Sequence, residues 1–251
     1  MTKTTYMTKL IDVKEREDVI LDLIVEAYIK ETNPVSSSHL CQKYNLPYSS
    51  ATIRNVMETL EEKGLLSHIH TSSGRIPTKK GFKHYVEHLK REEMIDNRDL
   101  GLDLHDTSSG GEQIIDKALD VLSENSGYAS FLAISGKGHK LFSRGTRFML
   151  EQPEFEDIKK LKNVFYALEV KINKLEELLL HYFNEQVKIL IGDEIGFEEI
   201  SDCSLVVSGS GEKDIAYVLA LLGPMRMDYM KAVSCLCSIK KQFEEIIEGN
   251  I

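Results

Sequence analysis

The feature that most constrains this chain is a change of hydrophobic period within the short stretch from Ser49 to Pro77. Ile53, Met57 and Leu60 recur at i, i+4 and i+7, the spacing of one helix face, and Gly64 stands where a left-handed residue ends a helix. Leu65 to Ile69 then reads as a short strand, Thr71-Ser72-Ser73-Gly74 as a turn, and Arg75-Ile76-Pro77 as a returning strand that Pro77 terminates. A helix delivered straight into a tight hairpin leaves few folds open.

The residues upstream narrow them further. Val19, Ile20, Leu23, Ile24 and Ala27 predict a first helix from about Glu15 to Glu31, stopped by Asn33-Pro34. Ser36, Ser37 and Ser38 offer N-caps for a short second helix through Lys43, and Tyr44-Asn45-Leu46-Pro47 makes a turn into the third, capped by Ser49 or Ser50. A fourth helix is expected over Lys79 to Glu92, burying Phe82, Tyr85, Val86 and Leu89. Three helices followed by a hairpin is the winged variant of helix-turn-helix.

Asp96 to Gly111 is rich in Gly, Ser and Asp and carries no sustained period, so a linker is expected there. Beyond it the texture is mixed. Ile114 to Leu122 reads as helix, Tyr128 to Ile134 and Lys140 to Phe142 as strands, and Val164, Leu168, Ile172, Leu175, Leu179 and Tyr182 as the stripe of one long helix. Val187 to Ile191, Ser204 to Ser208 and Ile215 to Leu222 are further strands, with Gly209-Ser210-Gly211 as a hairpin turn, and Tyr229 to Glu248 is a last helix. The expectation is an α+β unit with a sheet of about five strands.

Charge divides the same way. The formal net charge is -9, but residues 1–92 hold 14 Lys+Arg against 12 Asp+Glu, and residues 93–251 hold 17 against 28. From Lys43 to Arg91 there are 9 basic and 4 acidic residues, with His68, His70, His84 and His88 among them. This asymmetry suggests a nucleic-acid-facing module joined to an acidic one. The four cysteines, Cys41, Cys203, Cys235 and Cys237, form no C-x-x-C pair or ligand spacing with histidine and read as small core residues in a reducing compartment. No secretory signal or membrane span is expected, the longest charge-free apolar stretch near the C-terminal half being Ile215 to Met225, so the protein is expected in the cytoplasm. Neither a G-x-S-x-G elbow nor a phosphate loop is present, and the chain is not read as an enzyme; no cofactor or metal is assigned.

The candidate functional residues lie on the third helix and the hairpin. The N-terminal end of such a helix enters the major groove, where hydroxyls and backbone amides meet phosphates, a role that Ser49, Ser50 and Thr52 suit. Arg54 has the geometry to pair bidentately with guanine and Asn55 with adenine. In the hairpin, Gly74 permits a tight turn and Arg75 reaches phosphate or the minor groove. The bland alternatives are that Ser49 and Ser50 merely cap, that Arg54 is a solvated helix residue, and that the hairpin serves a protein contact.

Several segments match a known family. Pro34-Val35-Ser36-Ser37, Ser49-Ser50-Ala51-Thr52-Ile53-Arg54-Asn55 and His70-Thr71-Ser72-Ser73-Gly74-Arg75-Ile76-Pro77-Thr78 resemble the winged-helix domain of the bacterial heat-inducible transcription repressors, the HrcA family. The resemblance continues through Gly127-Tyr128-Ala129, Gln152-Pro153-Glu154-Phe155, Ile191-Gly192-Asp193-Glu194 and Gly223-Pro224-Met225-Arg226-Met227-Asp228-Tyr229. It implies a homodimeric repressor that binds double-stranded DNA at an inverted-repeat operator before chaperone genes and depends on a GroEL-type chaperonin, with a GAF-like second domain and no catalysis. Carried over by position, Ser49 to Asn55 form the recognition helix and Thr71 to Pro77 the wing, and Ser37 joins Ser49, Ser50, Thr52, Arg54, Asn55, Thr71, Ser72, Ser73, Gly74 and Arg75 as a DNA-binding candidate.

Two departures stand out. The family usually has an acidic residue where this chain has Val56, and between Ile134 and Gly145, where the family inserts a dimerising domain, this chain has only a short turn-rich segment. The expected organisation is a winged helix-turn-helix domain over 1–95, a linker over 96–111 and a GAF-like regulatory domain over 112–251. The rival functions are a winged-helix regulator that senses a small ligand and an interaction module without operator binding. A dimer made without the insert has two candidate surfaces, the long helix Val164 to Tyr182 and the fourth helix.

Overall fold

The computed structural model describes residues 13–68, 74–89, 111–135, 140–212 and 215–249. The chain is α+β and divides into two compact units, Met1–Leu89 and Lys90–Ile251. Among the described residues no helix is long and apolar enough to cross a membrane.

In the first unit, α1 (Val13–Glu31), α2 (Ser37–Tyr44) and α3 (Ser50–Glu62) precede β1 (Leu66–Ser67), β2 (Ile76–Pro77) and α4 (Lys79–His88). Ile20, Leu21, Ile24, Val25 and Ala27 of α1 are fully buried, together with Leu40, Ile53 and Leu60. The buried face of α1 is thus rotated slightly from the expected one: Leu21 and Val25 join it, and Val19 and Leu23 lie at its margin. On α4 the buried residues are Gly81, Phe82 and Tyr85, while Val86 and Leu89 are only half-buried and the expected extension to Glu92 falls outside the described residues.

The hairpin pairs Leu66 with Pro77 and Ser67 with Ile76. Arg75, expected in the returning strand, instead bridges Val35 in a reciprocal pair, Val35 N–H to Arg75 O at 2.9 Å and Arg75 N–H to Val35 O at 2.8 Å. The wing is therefore anchored to the segment between α1 and α2. A Cβ on Gly74 would stand 2.5 Å from the Val35 carbonyl, so glycine is demanded there by close backbone approach.

The second unit is built on a fully antiparallel five-stranded sheet in the order β4-β3-β7-β6-β5. Its strands are β3 (Ala129–Ile134), β4 (Lys140–Arg144), β5 (Lys188–Ile191), β6 (Cys203–Glu212) and β7 (Ile215–Pro224). Strand alternation sorts the side chains into two apolar faces. Phe131, Leu205, Val207, Val218 and Ala220 meet α7 (Ile158–Glu169) and α8 (Ile172–His181), which follow the short helix α6 (Arg147–Leu150). Against the sheet also pack α5 (Gly111–Ser126), over β3 and β4, and α9 (Tyr229–Gly249), over β6 and β7. Gly111 is the first residue of α5 rather than the end of a linker; residues 96–110 of that expected linker lie outside the described residues.

Two expectations are corrected here. The single long helix is two helices, because the chain leaves helical geometry at Lys171 (φ -103°, ψ 21°), whose ammonium is paired with Glu199. The apolar stripe runs through this break without losing phase, since Val164, Leu168, Leu175 and Leu179 all reach one core; periodicity alone cannot see it. The stripe is consumed within its own unit and offers no partner surface.

Gly209-Ser210-Gly211 is not a turn either. These residues continue β6, facing Val218, Tyr217 and Ala216. A Cβ on Gly209 would lie 2.5 Å from both Cα and O of Phe183, so this glycine admits a crossing backbone. Gly209→Ala should destabilise the chain by about 1 to 3 kcal/mol as an overpacking change. Gly111→Ala, where a Cβ meets nothing within 4 Å, should leave the denaturant midpoint near wild type. Equal midpoints for the two variants in a urea titration would refute the close-approach account.

Candidate nucleic-acid interface

The helix-turn-helix begins at Ser36, whose hydroxyl accepts the His39 amide at 3.2 Å and caps α2. Asn45 (φ 46°) ends α2 in a left-handed conformation that asparagine tolerates, and its N–H returns to Cys41 O. Glu31 ties α2 back to α1 by accepting from His39 and Lys43; the Lys43 ammonium, with His39, holds its carboxyl below the ordinary range against the opposing effect of burial.

Helix α3 is fixed at both ends. Ser49 caps it, accepting the Thr52 N–H at 3.1 Å, and the Ser49 and Thr52 hydroxyls lie 2.9 Å apart at the exposed first turn. Ser37 is buried, with its Oγ 2.9 Å from Ser50 Oγ, so these two expected DNA contacts face each other across the helix-turn-helix. At the other end Gly64 (φ 71°) N–H reaches Glu61 O and Leu65 N–H reaches Leu60 O, the paired bonds of a Schellman ending. Thr78 then accepts the Gly81 N–H to cap α4 and donates to Gly64 O at 2.7 Å.

With Ile53, Met57 and Leu60 buried, α3 presents Arg54 and Asn55 outward, both exposed. No ion pair holds the Arg54 guanidinium among the described residues. Arg75 differs from the expectation of an outward phosphate contact: its Nε lies 2.7 Å from Glu61 Oε2 and its side chain is 19% exposed. Thr71, Ser72 and Ser73 lie outside the described residues.

Glu61 also pairs with His68 Nδ1. It thereby joins the end of α3 to residues on both sides of the wing. Its partial burial raises the carboxyl pKa, but His68 and Arg75 together outweigh that and hold it below the usual range. The basic surplus between Lys43 and Arg91 is thus partly spent at home. Lys43 meets Glu31 and Lys63 meets Glu17, both acids on α1 outside that window, and Arg75 meets Glu61 inside it.

The residues missed by sequence reasoning are positioning ones. Val35 as a bridge partner of the wing, Glu61 as an anchor and the Ser37–Ser50 contact are all pairings between distant segments, which no local period announces. In the second unit, burial pushes the thiols of Cys203 and Cys237 up, as befits core residues rather than nucleophiles. The segments that carry the family resemblance there converge structurally: Arg226 pairs with Glu154 and donates to Gln152 at 2.9 Å, and the Asp228 N–H donates to the Tyr128 hydroxyl at 2.7 Å.

The family model described as "HrcA protein C terminal domain" matches residues 87–233, more than half of the chain. The Heat-inducible transcription repressor HrcA of Symbiobacterium thermophilum is 28% identical over 336 aligned positions, covering 93% of this chain and 98% of that protein. The protein of the same name from Geobacter sulfurreducens is 27% identical over 341 positions, covering 95% and 99%. Because this chain has 251 residues, about 100 positions in each alignment have no residue here. A shorter match, 45% identical over 89 residues, is to the HrcA of Chlorobium phaeobacteroides, covering 36% of this chain and 25% of that one. Among solved structures, the crystal structure of a hypothetical protein superposes with a TM-score of 0.76 at 20% identity, over 94% of this chain and 98% of that one, which shows a shared fold.

The Glu61 anchor has a signed pH signature. A carboxyl whose native pKa is lowered contributes stability that is fully present above its unfolded value of about 4.3 and is lost as pH falls through the native value. Glu61→Gln should therefore be less stable than wild type at pH 7, and the difference should close below about pH 4. Denaturant midpoints at the two pH values check this, and a gap that persists in acid would assign the loss to packing instead.

Proposed function

The chain belongs to the HrcA family, and on that premise we propose that it is a heat-inducible transcription repressor that binds double-stranded DNA at an inverted-repeat operator ahead of chaperone genes. The observation that carries this reading is the state of α3: capped and sealed at its two ends, buried on one face, and presenting on the other an asparagine beside an arginine that has no ion pair among the described residues. Such a helix is organised before DNA arrives, so little ordering cost falls on binding.

In this reading residues 1–95 form the DNA-binding domain. The first turn of α3 enters the major groove, where the Ser49 and Thr52 hydroxyls and the nearby backbone amides meet phosphate. Arg54 reads guanine and Asn55 reads adenine. Ser37 and Ser50 act by fixing the angle between α2 and α3. The wing, Thr71 to Pro77, lies along the flanking backbone, with Arg75 orienting it through Glu61 and approaching phosphate only if that pair opens. Residues 112–251 form a GAF-like regulatory domain, joined through 96–111, and a GroEL-type chaperonin is the proposed partner controlling the active state. The protein acts in the cytoplasm, carries out no catalysis and works as a homodimer, since one winged helix offers too few contacts for tight specific binding.

Arg54→Ala should cost about 1 to 3 kcal/mol on the operator and relax preference at one base position, while scarcely changing affinity for random duplex. Operator affinity should also fall steeply with salt as phosphate counterions are released. Fluorescence anisotropy at several salt concentrations measures both, and equal losses on operator and random DNA would move Arg54 to a phosphate role. Sedimentation with an inverted-repeat duplex should find two chains bound; one chain per duplex would sink the dimeric reading.

A further inference from the structure

Two pairs of potential metal ligands face each other in the first unit, outside the proposed DNA surface. On α1, Asp18 and Asp22 are four residues apart, and on α4 so are His84 and His88; that spacing puts each pair on one helix face. His84 Nε2 lies 3.5 Å from Asp18 Oδ1, and His88 Nδ1 lies 3.6 Å from Asp22 Oδ1. The two imidazoles meet edge to face with centroids 4.2 Å apart. Donor atoms of Asp18, His84 and His88 all fall within 4.8 Å of one another.

The geometry points to a structural site for a divalent transition ion of the zinc class, held by His84, His88 and Asp18, with Asp22 completing the shell. Imidazole together with carboxylate is a donor set that suits zinc, cobalt or nickel, and two histidines one helical turn apart are a common way to present two nitrogens to one ion. A tetrahedral ion with bonds of about 2.0 to 2.1 Å needs donors about 3.3 Å apart. Among Asp18, His84 and His88 the present spacing is wider by about 1.5 Å at most, within reach of side-chain rotation. Simple ion pairing between aspartate and histidine would account for the two cross-helix contacts. It does not by itself account for donor atoms of both histidines converging with Asp18 to within 4.8 Å of one another.

The consequence is structural. Helix α1 packs against both α3 and α4, so an ion joining α1 to α4 closes the scaffold on which α3 is seated. It would stabilise the first unit by binding the folded state alone.

The test uses the full chain after chelator treatment. Cobalt(II) titration should give visible d–d absorption of tetrahedral intensity that saturates at one ion per chain, without the sulfur-to-metal charge-transfer band of a cysteine site, and zinc should displace it. Zinc should also raise the thermal midpoint. In the double variant His84→Gln, His88→Gln the affinity should fall by more than about 100-fold while His39→Gln keeps it, and Asp18→Asn serves as an isosteric second variant if the double one fails to fold. Absence of cobalt absorption, a charge-transfer band, or affinity indifferent to these ligand substitutions would overturn the site.

Discussion

The first unit depends on how α3 is terminated. A helix of 13 residues is marginal by itself, and its buried stripe of Ile53, Met57 and Leu60 fixes which face turns inward but not where the helix begins or ends. The Ser49 cap and the Gly64 reversal supply those limits. Once Gly64 has turned the chain, Leu65 and Leu66 are delivered into the core, Thr78 closes on the Gly64 carbonyl, and α4 is brought so close that a Cβ on Gly81 would strike the Leu65 oxygen at 2.2 Å. A change at Gly64 would therefore propagate into both wing and α4, even though nothing lies within 4 Å of its own missing Cβ. The cost there is backbone conformation and not volume.

What was legible in the sequence follows from this hierarchy. Periods, caps and punctuating glycines are local, and they yielded each helix of the winged unit and the five strands of the sheet. Pairings between distant segments are not local. Val35 carries no signal that it will bridge Arg75, and Gly209-Ser210-Gly211 looks like a turn until Phe183 is seen crossing it. The broken helix fails for a subtler reason: the apolar stripe from Val164 to Leu179 keeps its phase across Lys171, so the pattern reports what is buried and hides where the backbone yields.

Charge was the least legible property of the candidate site. Counting Lys and Arg from Lys43 to Arg91 treats each as available to phosphate, yet an ion's partner is chosen by space and not by sequence window. Glu17 and Glu31 lie on α1, distant in sequence, and take Lys63 and Lys43 respectively. The residue that stays exposed and unpaired among those described, Arg54, sits on the outward face of α3, where the apolar period already implied it would. Periodicity located that cation better than composition did.

The same logic bears on the positions that the longer relatives have and this chain lacks. The resemblance puts the missing insert between Ile134 and Gly145, within the connection from β3 to β4. In this chain those strands pair without interruption from Ser130↔Arg144 to Ile134↔Lys140, so only five residues of sequence, 135–139, separate them. The sheet needs nothing more at that edge: β3 is satisfied by β4 on one side and β7 on the other. Loop-closure entropy grows only slowly with length, so a long insertion and a short turn are both compatible with the same sheet. The sheet of the second unit is therefore independent of the insert, while any assembly that used it is not. With the stripes of α7 and α8 spent on their own core, the proposed two-fold partner would have to meet a different surface. The large apolar side chains that remain exposed among the described residues, Leu150, Ile158, Tyr166 and Val170, belong to α6, α7 and the residue just after α7.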